Sequence, residues 1–176
     1  MDDLEQALEN LQMAINAAPA DSTERAMYSN GLGNRLSSKY KISGRVADLE
    51  LAVAKSRDAV AAGTSDHSKQ AMYLNSLGNR LAEHFGEFGD MTDLQQAIAA
   101  SSESVQLIPL GHFSRAMYLN NLGNHFLRKH KVTGEFCELQ EALAKTLEAV
   151  RTSPINHPDR AMSLNSLSVG LLLKYN

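Results

Sequence analysis

Methionine and two asparagines recur at one spacing in three places along the sequence, as Met27, Asn30 and Asn34, as Met72, Asn75 and Asn79, and as Met117, Asn120 and Asn124. A fourth segment keeps Met162 and Asn165. A primary amide carries two donors and an acceptor, so it can bond either the N–H or the C=O of a peptide backbone, whatever side chain stands beside it. Methionine adds apolar contact that adapts to irregular shapes. The chemistry on offer is recognition of a main chain. Asn30, Asn34, Asn75, Asn79, Asn120, Asn124 and Asn165 are its candidate peptide-binding residues, with Met27, Met72 and Met117 beside them. The alternative reading gives the amides to carbonyls at the protein's own packing seams and the methionines to helix packing alone.

Other reactive residues point to no reaction. His67, His112 and His157 share one repeat position. Ligands on successive repeats stand on the order of 10 Å apart, too far to share a zinc ion whose bonds to nitrogen are about 2.0 to 2.1 Å, so no metal site is expected. Cys137 has only His130 near it in sequence, and a nucleophilic thiol needs a base in reach. The "LGN" glycines fall inside helical segments, not in strand-to-helix loops, and cannot cradle a phosphate. No acid and base pair stands out, so neither catalytic residues nor a cofactor is expected.

The elements that position the amides follow from self-similarity. "RAMYSNGLGNRL" begins at 25, "QAMYLNSLGNRL" at 70, "RAMYLNNLGNHF" at 115 and "RAMSLNSLSVGL" at 160, successive starts differing by 45. "DLEQAL" at 3, "DLELAV" at 48, "DLQQAI" at 93 and "ELQEAL" at 138 keep the same period. Leu4, Ala7, Leu8, Leu11 and Ile15 are spaced by three and four residues, the stripe of a helix buried on one face. Ala116, Leu119, Gly123 and Phe126 form the stripe of the other pattern. Gly123 costs its helix about 1 kcal/mol relative to alanine, and its place in the buried sector implies that a neighbouring helix comes close there. Asn120 and Asn124, four apart, lie with Met117 on a strip beside that sector.

Gly44, Gly89 and Gly134 occupy one repeat position, suited to a left-handed residue that ends a helix, while Pro19, Pro109 and Pro154 close three of the shorter helices. "DSTE" at 21 to 24 has the spacing of a capping box, and "NHPD" at 156 to 159 puts an asparagine ahead of a first-turn proline. The expected helices span 3 to 18, 23 to 42, 46 to 62, 67 to 87, 91 to 107, 112 to 132, 136 to 152 and 157 to 175. A two-helix unit cannot hide its stripe alone, so the units must stack into an open, curved α-solenoid. With helices about 8 to 10 Å apart and an extended chain advancing about 3.3 Å per residue, each unit could hold roughly three residues of a peptide.

The 176 residues are 43% hydrophobic and 21% charged, with a formal net charge of −3. That balance fits a soluble folded chain and gives no basic field for nucleic acid or an anionic membrane. A single cysteine excludes a disulfide framework and suits a reducing compartment, so a cytoplasmic location is expected. No apolar run nears the roughly 20 residues that span a bilayer, and the acidic start "MDDLEQ" is unlike a signal peptide.

"YLNSLGNRL", the glycine at 89, "DLQQAI" and Pro109 together resemble the tetratricopeptide repeat (TPR): "LGN" on the first helix, glycine at the turn, alanine early in the second helix and proline at its end. The 45-residue unit is longer than the usual one and is similar to the long repeats of kinesin light chains. "HPDRAMSLNSL" also resembles TPR arrays of fungal NLR-type signalling proteins, where such units follow NTPase or caspase-like (CHAT) domains. The resemblance implies an all-α, right-handed α-solenoid of antiparallel hairpins with eight helices. It divides the chain into a half repeat at 1–22, repeats at 23–66, 67–111 and 112–156, and a half repeat at 157–176.

The first helix of each unit would line the concave groove, bringing the asparagines with it. The last unit departs from the others, with Ser168 and Val169 for glycine and asparagine, and Leu11, Ser56, Ser101 and Thr146 stand where the family has a large aromatic. The function implied is a non-catalytic protein-interaction module that binds an extended peptide or partner segment within a larger signalling protein. The alternative is a structural spacer that associates with copies of itself through its terminal helices, where Leu171, Leu172 and Leu173 cannot all be buried.

Overall fold

The computed structural model describes residues 2–20 and 22–175. Eight helices follow one another: α1 (Asp2–Ala17), α2 (Thr23–Ser43), α3 (Val46–Ala62), α4 (His67–Phe88), α5 (Met91–Leu107), α6 (Arg115–Thr133), α7 (Phe136–Thr152) and α8 (Pro158–Leu173). There is no strand among the described residues. The bounds of α3, α5 and α7 are those expected from the apolar period.

Helix ends follow local chemistry. Gly44, Gly89 and Gly134 take φ of 67°, 70° and 72° after α2, α4 and α6, and each donates its N–H back to the carbonyl four residues earlier. Asp66 and Asp90 cap α4 and α5 by accepting first-turn amides, as short polar side chains do at a helix start.

Ends of α1, α2, α4, α6 and α8 shift by one or two residues from expectation, and three starts differ in their cap or turn. Ser22 caps α2 by accepting from the N–H of Arg25, one residue later than the "DSTE" spacing suggested; Asp21 of that stretch lies outside the described residues. α6 begins at Arg115, not 112, because Pro109 and His112 each accept a three-residue turn bond, from His112 and Arg115. His157, not Asn156, caps α8, its Nδ1 accepting from Asp159 N–H.

The helices pack as hairpins, α2 with α3, α4 with α5 and α6 with α7, and each short helix also packs on the long helix that follows it. α2 touches α4, α4 touches α6 and α6 touches α8, whereas α1, α3, α5 and α7 do not approach one another closely along their backbones; between α3 and α5 a long side chain reaches across, Arg57 Nη2 donating to Gln96 Oε1 at 2.7 Å. The long helices therefore crowd together on the inner side of the stack, and the short ones fan out on the outer side. The apolar core is correspondingly divided. Leu74, Leu77, Leu81 and Ala97 form one cluster, Leu8, Leu32 and Leu36 another, and Leu127, Leu139 and Ala142 a third, each joining only neighbouring helices, as expected of a solenoid.

Within each hairpin the helices nearly touch backbone to backbone. A Cβ placed on Gly33 would lie 2.9 Å from Ser56 Oγ and 3.1 Å from the Ala52 carbonyl, and Gly78 and Gly123 stand in the same relation to α5 and α7. This is why serine and threonine occupy the outer helices where a large aromatic was missing.

Candidate functional site: the concave groove

The repeated asparagines sort into two depths. Asn30, Asn75 and Asn120 are buried between units; Asn34, Asn79 and Asn124 are half-buried, and Asn165 on α8 is exposed. Part of the deep set is bound into the scaffold, since Asn121 Nδ2 donates to Asn75 Oδ1 at 3.0 Å across α4 and α6. Oδ1 of Asn30 and of Asn120 is buried without a partner. Met27 and Met72 are exposed. Met117 is half-buried against Ala71, Ile108 and Tyr118.

Asn79 and Asn124 both line a cavity of about 330 Å³ walled by α2, α4 and α6 and by no outer helix. Its charged walls are Lys41, Arg80, Glu83 and Arg128. Glu83 holds two of the three cations, Arg80 at 2.9 Å and Lys41 at 2.8 Å, and also accepts from Ser37 Oγ at 2.8 Å. Burial pushes its carboxyl up, but the Arg80 charge and the bonds from Lys41 and Ser37 outweigh that, and its pKa ends below the usual value. Arg80 also donates to Asn34 Oδ1 at 3.2 Å. Arg128 donates to the Ala82 carbonyl at 3.0 Å and has no carboxylate partner among the described residues. Three cations against one anion leave the cavity positive.

His125 completes the wall. It is buried, and neither Nδ1 nor Nε2 has a hydrogen-bond partner. Burial, with the Arg128 charge adding to it, lowers its pKa to about 4, so at neutral pH it offers one N–H donor and one acceptor nitrogen. A second cavity of about 300 Å³ between α6 and α8 is walled by Asn124, Arg128, Lys131 and Asn165 with no acidic residue. The groove is thus a run of amides and cations with unpaired buried polar atoms behind them.

Spacing alone did not single out Arg80, His125, Arg128 or Asn121. Four of the bonds that join the long helices link residues 46 apart, one repeat plus one residue: Ser37 to Glu83, Arg80 to Asn34, Asn121 to Asn75 and Arg128 to Ala82. That constant offset is the signal that could have found them. His112 and His157 each accept a nearby backbone N–H, Cys137 is exposed, and no group of three metal-binding side chains forms among the described residues.

This architecture is a TPR-like helical repeat, the fold that the sequence motifs resemble. A crystal structure of nearly identical TPR-like repeats assigned to a kinesin light chain of Podosopora anserina superimposes with a TM-score of 0.69 at 17% identity, covering 98% of this chain and 79% of that one. No protein-family model and no curated protein matches the sequence. No helix among the described residues is long and apolar enough to cross a membrane.

Proposed function

We propose that the concave groove binds an extended segment of a partner protein, with the amides of Asn34, Asn79 and Asn124 on the peptide backbone and an acidic side chain in the α4–α6 cavity. The observation that carries this reading is the cavity itself: about 330 Å³ walled by amides, cations and an imidazole whose two buried nitrogens have no partner. Buried polar atoms without partners cost stability, and an incoming carboxylate can take the His125 N–H and the Arg128 fork together. Asn30, Asn75 and Asn120 lie one turn deeper and back the groove; Asn165 and the exposed Met27 and Met72 extend its rim.

The proposal includes a cytosolic setting, for which the lone exposed thiol of Cys137 is suited, and membership of a larger signalling protein, for which the resemblance of the "HPDRAMSLNSL" unit is the support. A second reading, a spacer that associates with itself, is favoured by the apolar face that α8 leaves open.

A selection from displayed random peptides on the immobilised chain tests the groove. Enriched peptides should carry Asp or Glu. They should lose at least about tenfold in affinity to the Asn79→Ala, Asn124→Ala double variant, whose melting should stay close to that of the parent. Peptides indifferent to that variant, or none enriched, would defeat the proposal.

A further inference from the structure

The α4–α6 cavity carries more positive charge than one carboxylate can balance. Lys41, Arg80 and Arg128 share it with a single anion, Glu83, which already accepts from Lys41 and Arg80. Two positive charges are left over. The surplus has a definite origin in the sequence: Arg128 occupies the repeat position of Glu83, 45 residues on, so the unit that could bring a second acid brings a third cation. The walls of the cavity are α2, α4 and α6, interior helices of the array.

Donors are in surplus too. Arg80 Nε and both nitrogens of His125 are buried without partners. Arg128 gives an N–H to the Ala82 carbonyl at 3.0 Å, which holds its guanidinium at the cavity wall and leaves the rest of its fork free. Asn79 and Asn124 add their amides to the same wall. A carboxylate would bring one charge and two oxygens to these groups. A phosphoryl group brings about −1.5 to −2 charges at pH 7 and three acceptor oxygens, two of which a guanidinium fork can take at once.

We propose that the acidic group received by this cavity is the phosphoryl group of a phosphorylated serine or threonine in the partner segment, with Arg128 selecting it over glutamate. This rests on the groove's binding an extended segment, as proposed above, and adds that phosphorylation of the segment switches that binding on. The side chain must be short, because the amides offered to the peptide backbone, Asn79 and Asn124, line the same cavity. A phosphoinositide headgroup carries the same chemistry, but the cavity is walled by inner helices alone, and a flat bilayer does not follow a concave wall.

Three degenerate peptide libraries, alike except for phosphoserine, glutamate or serine at the central position, test this when passed over the immobilised full chain. The phosphoserine library should be retained most and the serine library least. Peptides recovered from it should bind at least about tenfold tighter than their glutamate versions, the worth of one further charge-assisted hydrogen bond. Arg128 is exposed, so Arg128→Gln should leave melting unchanged and erase that preference. Equal retention of the phosphoserine and glutamate libraries overturns the phosphoryl assignment while leaving the groove standing, whereas no retention of any library overturns both. A preference that survives Arg128→Gln overturns the assignment, as does capture of phosphoinositide vesicles with no phosphopeptide.

Discussion

Gly123 on α6 stands against Thr146 on α7 with no space for a methyl group between them: a Cβ there would lie 2.6 Å from Thr146 Cγ2 and 3.2 Å from the Ala142 carbonyl oxygen. The glycine that looks like an error inside a helix is thus a requirement of the neighbouring one. Gly123→Ala should gain about 1 kcal/mol in helix propensity and lose about 1–3 kcal/mol to overpacking, for a net fall in melting temperature. Thr146→Ser removes Cγ2 but leaves the carbonyl, so the double variant should lose less than the two single effects summed. Thermal melts of the four chains measure the coupling.

Arginine at the start of the long helices clamps the end of the helix before. Arg115 Nη1 donates to the carbonyls of Val105 and Ile108 at 2.8 and 3.1 Å, and Arg160 does the same to Val150 and Ser153 at 2.7 and 3.2 Å. Arg25 repeats the pattern with Ile15 and Ala18. In the remaining repeat Gln70 reaches only Val60 at 3.4 Å, and its Oε1 is buried without a partner. A cation bonded to the negative end of a helix is stabilising. Arg115→Met should therefore cost about 1.5–3 kcal/mol, while Gln70→Arg should stabilise by about 1 kcal/mol, both read from denaturant midpoints.

Those arginines also mark where the sequence stopped being legible. Helix number, order and most bounds follow from the 45-residue period, because apolar stripes and left-handed glycines are local signals. The Gly33, Gly78 and Gly123 contacts were legible too, since a helix keeps such a glycine only where something comes close. The first-turn arginines opposed the helix dipole in plain view, yet their partners lie in another helix, across a loop of unknown path. The depth of Asn75 against Asn79, and the exceptional His125 among Arg35, Arg80 and Gly170, depend on how far one unit rotates on the next. No single repeat encodes that rotation.

His125 gives the fold an acid-sensitive point. Burial, then the Arg128 charge, lowers its pKa to about 4, against about 6.5 in an unfolded chain. Above the unfolded value the ring is neutral in both states and imposes no penalty. As pH falls below it the unfolded chain takes up the proton first, so stability is lost between the two values, by at most about 3 kcal/mol. Melting temperatures from pH 7.5 down to 4.5 should fall more steeply for the parent than for His125→Gln. Equal slopes would mean that the imidazole is hydrated or paired in solution.

Asn75 and Asn79, one helical turn apart, should answer to different measurements. Asn75 is buried and accepts the 3.0 Å bond from Asn121, so Asn75→Ala strands a partly buried amide donor and should cost about 1 kcal/mol. Asn79 is half-buried in the cavity wall, and truncating it should change stability by no more than about 0.5 kcal/mol. The order reverses for a bound acidic peptide, because Asn79 offers its amide to the groove whereas Asn75 has given its oxygen to Asn121. Denaturant midpoints and peptide affinities on the two single variants separate scaffold from contact. If Asn79→Ala proves as destabilising as Asn75→Ala, its amide belongs to the scaffold, and contact with the peptide falls to Asn124 and Arg128.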